Sequence, residues 1–234
     1  MRVKAIIAVV SWCLFFLMVI SYRLGGVSTY TKCCRAGDQL DVCGSLNCVE
    51  CDSRDQLVLY DNYTGSYQSF EHGNSAFFHE TSNATTLSIR QACAVESLAF
   101  HNARLKIHLL MTNRVNWSHP VIKALRSYTN VRITAINLDN YFLDTALEQW
   151  YFCSRWRNGQ FAVSHLSDAL RFLTLWKYGG YYFDLDFVML KPMAGYRNFI
   201  GAESELFLGA GALHVDYRHP LMQLAVQEFR DHYR

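Results

Sequence analysis

The apolar positions change their rhythm along the chain. Ala5 to Tyr22 carries no charge and is dense in Ile, Val, Leu and Phe, with Arg2 and Lys4 before it and Arg23 after. As a helix this run rises about 27 Å, close to the thickness of a bilayer core. The preceding positive charge predicts a signal anchor, with residues 1–4 as a cytosolic tail, 5–22 as the membrane span and the remainder lumenal. A cleaved signal peptide is the alternative, with Val19 and Ser21 forming a marginal cleavage site. Residues 23–67 keep no period, are rich in Gly, Ser, Asp and Cys, and read as a stem. From residue 68 onward strand-like and helix-like runs alternate to the end at 234.

Within that last part the elements are legible. Ala76-Phe77-Phe78 reads as a short buried strand. Ser88-Ile89-Arg90-Gln91 forms a capping box opening a helix with Ile89, Ala92, Val95 and Ala99 on one side. Leu105–Met111 reads as a strand, Ser118 and Pro120 as the start of a helix over Val121–Ser127, and Val131–Leu138 as another strand. Strand, helix and strand joined by short links predict parallel βαβ units and an α/β, Rossmann-like sheet. Ser164 is expected to cap a helix with a stripe of Leu166, Ala169, Leu170 and Leu173, ending at Tyr178-Gly179-Gly180. Tyr181–Leu190 is expected to be a buried strand and Gly209-Ala210-Gly211 a turn that borders the site, with no role assigned to it. His219–Tyr233 has the pattern of an amphipathic helix with Leu221, Leu224, Ala225 and Phe229 on one face.

Composition narrows the classes. The 234 residues are 51% hydrophobic and 18% charged, with a net charge of +2. That excludes a disordered chain, and no basic cluster speaks for nucleic acid. Two features agree with an oxidising compartment. Sequons occur at Asn62, Asn83 and Asn116, none blocked by proline. Of eight cysteines Cys13 lies in the apolar run, and Cys33, Cys34, Cys43, Cys48 and Cys51 cluster in the stem. The C-x-x-C spacing of Cys48 and Cys51 allows zinc or redox chemistry. A lone pair beside a membrane in an oxidising lumen favours disulfides instead. Seven cysteines beyond the span is an odd number, so one stays free or pairs between chains.

The chemistry concentrates between Ser164 and Pro192. Asp168 and Arg171 stand three apart on the expected helix and can meet or face one ligand. Asp184-Leu185-Asp186 follows, and strand alternation places both aspartates on one face. Adjacent carboxylates repel unless a cation or donor lies between them, and their hard oxygens suit Mn²⁺ or Mg²⁺. About one D-x-D arises by chance in such a chain, so the tripeptide counts only in its setting, after a capped helix, a Gly-Gly turn and an aromatic strand. A hydrolase using the two as acid and base is disfavoured, because same-strand neighbours cannot flank a glycosidic bond. Trp150, Tyr151 and Trp176 read as core rather than sugar platforms.

Ser167-Asp168-x-x-Arg171 and Trp176–Asp186 resemble the glycosyltransferase sugar-binding region containing a DXD motif. Phe77–Ser82, Cys93–Ser97 and Leu147–Tyr151 are similar to the group of lactosylceramide 4-alpha-galactosyltransferases and alpha-1,4-N-acetylglucosaminyltransferases, and the likeness runs from about Ala76 to the C-terminus. The resemblance implies a single-pass type II Golgi membrane enzyme whose residues 68–234 form a GT-A catalytic domain, with helices on both faces of a mostly parallel sheet. It implies a UDP-sugar donor, Mn²⁺ or Mg²⁺, retention of configuration, and a glycolipid acceptor such as lactosylceramide. Asp186 would be the main metal ligand and Asp184 would touch the sugar or ribose and bind metal through water. Asp168 and Arg171 would hold the donor sugar, with Glu80 and Thr81 near the nucleotide. Disulfide-linked or Golgi enzyme complexes are possible partners. Relatives continue past the equivalent of Arg234, so the chain reads as truncated; a remnant that binds nucleotide sugar or a partner enzyme with impaired transfer is the alternative.

Overall fold

The computed structural model describes residues 58–61, 66–69, 73–154 and 156–233. The apolar run 5–22, the stem cysteines and Asn62 lie outside the described residues. Among the described residues no helix is long and apolar enough to cross a membrane.

Strands β1 (Val58–Asp61) and β2 (Ser66–Ser69) pair antiparallel, an element the aperiodic sequence there did not announce. The main sheet has six strands: β3 (Ser75–Glu80), β4 (Lys106–Met111), β5 (Val131–Ala135), β6 (Gly180–Phe183), β7 (Phe199–Ala202) and β8 (Leu208–Val215). Their order is β5-β4-β3-β6-β8-β7. The pairs β5/β4, β4/β3 and β3/β6 are parallel, and β8 runs antiparallel to both β6 and β7. The molecule is therefore mixed α/β with a mostly parallel sheet, as the alternating pattern predicts.

Alternation along the strands feeds two cores. Ala76, Phe78, Ile107, Leu109, Tyr181 and Phe183 face one side. They meet α1 (Ile89–His101) and α2 (Pro120–Arg126) through Val95, Leu98, Ile122 and Leu125. Phe77, Leu110, Tyr182 and Leu213 face the other side. There they meet α3 (Leu138–Phe142), α4 (Glu148–Cys153), α5 (Ala162–Tyr178) and α6 (Pro220–His232). Helices thus cover both faces, and strands buried on both sides read as near-continuous apolar runs. Trp150 and Tyr151 are buried core, as expected, with the Tyr151 ring stacked 4.5 Å from Phe142.

Several details differ from the sequence reading. The Ser88 capping box forms, but Ile89 is 81% exposed and the buried face of α1 is Ala94, Val95, Leu98 and Ala99. His119 rather than Ser118 caps α2, its ring nitrogen accepting from Val121 N, because the Ser118 hydroxyl is bonded to Asn116. Helix α5 begins after Phe161, before Ser164, with no side-chain cap. In α6 the buried positions are Met222 and Val226, flanked by half-buried Leu221, Ala225 and Phe229. Gly209-Ala210-Gly211 is not a turn but part of strand β8. Cys93 is exposed and Cys153 half-buried.

Candidate active site

The strand order reverses between β3 and β6: β4 and β5 lie on one side, β8 and β7 on the other. At such a switch point the connections leave in opposite directions and open a crevice at the carboxyl ends of the parallel strands, where ligands bind in open α/β sheets. Glu80 ends β3 and Asp184 follows β6, so both expected groups fall at this crevice.

Strand β6 stops at Phe183, and the expectation of a strand to Leu190 is corrected. Asp184 N still donates to Gly211 O of β8 at 2.8 Å, but Phe187 N then folds back to Asp184 O at 3.1 Å. Asp184-Leu185-Asp186 is thus a reverse turn at the strand's end. That turn, rather than pleat alternation, sets where its two aspartates lie. The apolar residues around the aspartates mimic a strand, while the local hydrogen bond ends it.

Asp184 is tightly held. Its Oδ1 accepts from Arg171 Nη2 at 2.9 Å and from the Tyr182 hydroxyl at 2.7 Å. Tyr182 lies two residues earlier on the same strand face, and the Arg171 guanidinium sits 4.7 Å over its ring. Burial, with Asp184 beside it, holds the Tyr182 phenol well above its ordinary value, so it remains a donor. Arg171 is anchored to α5 as well, with Nη1 3.4 Å from Asp168 Oδ1 and Nη2 3.4 Å from Ser167 Oγ. The Asp168–Arg171 spacing therefore gives the contact it promised, on the sheet-facing side of the helix. Arg171's side chain is only 8% exposed, against 33% for Asp184 and 40% for Asp168. Burial works against the Arg171 charge, yet Tyr182, Asp184 and Asp168 outweigh it and raise its pKa. Burial raises the Asp168 pKa despite Arg171, with Asp184 adding repulsion.

Asp186 is the opposite case. It is exposed and has no hydrogen bond or ion pair among the described residues. Glu80 is buried, and both its oxygens are used on its own loop: Oε1 accepts from Ser82 N at 3.0 Å and from the Ser82 hydroxyl, Oε2 from Ala84 N at 3.0 Å. It shapes the loop after β3, and Thr81 beside it is half-buried at the crevice. Behind the site, His79 is buried, its Nε2 3.3 Å from Thr174 Oγ1, and burial together with Arg171 lowers its pKa to about 3. Sequence reasoning missed Tyr182, whereas the Gly209–Gly211 run does border the site, Gly211 lying against Asp184 Oδ2. For Tyr182 a signal existed, since residue i−2 on a strand shares the face of residue i.

The donor set suits a hard divalent cation. Among the described residues nothing donates to Asp184 Oδ2 or the Asp186 carboxylate, and Gly211 lacks the side chain that would crowd Asp184 Oδ2. Among the described residues no three His, Cys, Asp or Glu side chains converge, so two carboxylates leave most ligand positions to phosphate and water oxygens. A cation held by Asp184 and Asp186 would supply positive charge to an anionic oxygen ligand. The chain's own contribution is to fix Asp184 through Arg171 and Tyr182, and to keep Asp186 open.

Residues 88–207, just over half of the chain, match the family described as glycosyltransferase sugar-binding region containing DXD motif. The chain is 33% identical over 162 residues to lactosylceramide 4-alpha-galactosyltransferase of Homo sapiens, covering 67% of this chain and 46% of that protein. It is 26% identical over 209 residues to alpha-1,4-N-acetylglucosaminyltransferase of Homo sapiens, covering 82% of this chain and 59% of that protein. The chain spans about half the length of the curated relatives it matches. Among solved structures, the PaToxG glycosyltransferase aligns with 70% of this chain and 63% of its own at 16% identity and a TM-score of 0.49. With the Asp184–Asp186 turn and the Asp168–Arg171 pair inside the matched segment, the chain belongs to the glycosyltransferase family of the DXD-containing sugar-binding region.

Proposed function

We propose that this chain is a retaining glycosyltransferase of GT-A type, which moves a hexose from a UDP-sugar in alpha-1,4 linkage to a glycosphingolipid. Galactose is the first choice of sugar and N-acetylgalactosamine the second, with Mn²⁺ or Mg²⁺ as cofactor. The observation that carries the reading is the asymmetric pair at the end of β6: Asp184 tied to Arg171 and Tyr182, and Asp186 beside it with no partner among the described residues. In this reading Asp186 holds the cation, Asp184 meets it through water and touches the sugar, and Asp168 and Arg171 bind sugar hydroxyls. Glu80 orders the loop on which Thr81 meets the nucleotide. The relative at 33% identity supports a lactosylceramide-like acceptor. The relative at 26% identity covers more of this chain and supports a second reading, transfer of N-acetylglucosamine to glycoprotein glycans.

The apolar run at 5–22 and the sequons support a type II Golgi protein with its catalytic part in the lumen. Asn83 and Asn116 are both exposed, in the loops after β3 and β4, as glycosylation requires. Incubating the full chain with Mn²⁺, lactosylceramide and each UDP-sugar in turn tests the reading. A glycolipid product from UDP-galactose alone supports it. Transfer only from UDP-N-acetylglucosamine to a glycoprotein glycan favours the second reading.

A further inference from the structure

The two aspartates of the turn are held by different means. Asp184 is fixed through its own side chain, whereas Asp186 has no side-chain partner among the described residues, so the backbone on either side must set where its carboxylate lies. Upstream, β6 and the Asp184–Gly211 hydrogen bond supply that support. Downstream, residues 187–194 join no strand. They are tied to α1 instead. Met189 N donates to Ser97 Oγ at 2.9 Å, and the Met189 side chain is buried in the core beneath α1. Farther on, Met193 N and Ala194 N donate to Asn102 Oδ1 at 2.7 and 3.3 Å. Ser97 is itself oriented, its hydroxyl donating to Ala94 O at 2.9 Å, which leaves its lone pairs for the Met189 amide. Asn102 is likewise held by Leu98 O at 3.0 Å.

Ser97 closes the Cys93–Ser97 stretch, to which no part in the reaction has been given. We propose that Ser97 is a positioning residue for Asp186: by accepting the Met189 N–H it fixes the exit of the turn, and with it the place of the Asp186 carboxylate at the cation of a nucleotide-diphosphate donor. The proposal rests on the donor-binding reading above. It gives α1 two tasks, packing against the sheet and clamping the strap that leaves the turn. Only two residues, Phe187 and Val188, separate Asp186 from the anchored amide, so slack at Met189 passes directly to the carboxylate. A displacement of about 1 Å is enough to impair an assembled site.

The test uses the full chain as wild type, Ser97→Ala and Ser97→Thr. Two quantities are read: Mn²⁺ titration of calorimetric UDP binding, and amide exchange over Leu185–Met189 without metal or nucleotide. Ser97→Ala should weaken the apparent Mn²⁺ affinity about fivefold, the size of one net hydrogen bond, and speed exchange at Met189, while Ser97→Thr retains both. Mn²⁺ affinity unchanged in Ser97→Ala, or lost equally in Ser97→Thr, overturns the proposal. If the wild-type chain shows no Mn²⁺-dependent UDP binding, the donor-binding reading fails separately, and unchanged exchange in Ser97→Ala still overturns the anchor. Should Ser97→Ala not fold, the wild-type chain decides: Met189's amide is protected and Val188's is not, and equal exchange of the two refutes the anchor.

Discussion

Gly211 lies so close to Asp184 that a Cβ on it would come within 2.8 Å of the aspartate's Oδ2 and within 2.8 Å of the Phe187 ring. The antiparallel strand β8 thereby borders the site with backbone alone. Gly211→Ala should push the turn outward and lower Mn²⁺-dependent UDP binding at least about tenfold. Its stability cost should stay within the about 1–3 kcal/mol typical of overpacking. Binding at the wild-type level, with melting and calorimetry done on the same sample, would show that the turn has slack the structure does not reveal.

One guanidinium serves both Asp168 and Asp184, through Nη1 and Nη2 respectively. Arg171→Met leaves two part-buried carboxylates without their cation and should destabilise by about 2–4 kcal/mol, below the full value for a buried pair because both acids reach solvent. Arg171→Lys should recover little of this, since an ammonium cannot offer two donors in a fixed fork. Urea unfolding of the three proteins measures both effects, and complete recovery in the lysine variant would contradict the fork.

Asp168 separates binding from stability. Burial raises its folded pKa above the ordinary 3.8, so the folded state holds its proton more firmly than the unfolded state does. Its favourable contribution is therefore present below 3.8 and is lost as pH rises through the raised value; at neutral pH the ionised group is a burden. Asp168→Asn should leave the melting temperature at pH 7 unchanged or higher while weakening UDP-sugar binding relative to UDP. A clear loss of stability at pH 7 would refute the sign.

Much of the frame was legible and the exceptions have local causes. The strand at Val131, the α5 stripe of Leu166, Ala169, Leu170 and Leu173, and the Ser88–Gln91 box are all written in short-range pattern, and they form. So was the Asp168–Arg171 contact, because helix geometry makes residues three apart neighbours. The end of β6 was not, because Phe183–Val188 alternates like a strand and only the Phe187–Asp184 hydrogen bond interrupts it. The Gly209–Gly211 run looks like a turn by composition. It is a strand because its glycines let β8 pass under Glu203 on one side and Asp184 on the other. Ser97 and Asn102 look like ordinary helix-surface and helix-end residues, and their partners lie about 90 residues away, a separation no local pattern encodes.

Acid should weaken the fold through its buried histidines. Burial lowers His79 and His108 to about 3 and His214 to about 4, all from 6.5. The unfolded chain therefore binds more protons between those values and 6.5. Stability is fully present above pH 6.5 and falls as pH drops toward 4, by up to about 1.4 kcal/mol per pH unit for each group. Urea midpoints across pH 4–7 check this. His79→Gln should flatten the profile, and an unchanged slope would mean that His79 is not neutral in the folded state.

The central claim is that the turn at the end of β6 binds a nucleotide diphosphate through a divalent cation. Calorimetric titration of UDP into the full chain, with Mn²⁺ and then with chelator, tests it most directly, with Asp186→Ala alongside. The account expects binding that Mn²⁺ creates and chelator removes, and that Asp186→Ala abolishes while melting within a few degrees of wild type, since its side chain bonds to none of the described residues. UDP binding that is equally strong in chelator, or that survives in Asp186→Ala, would contradict it.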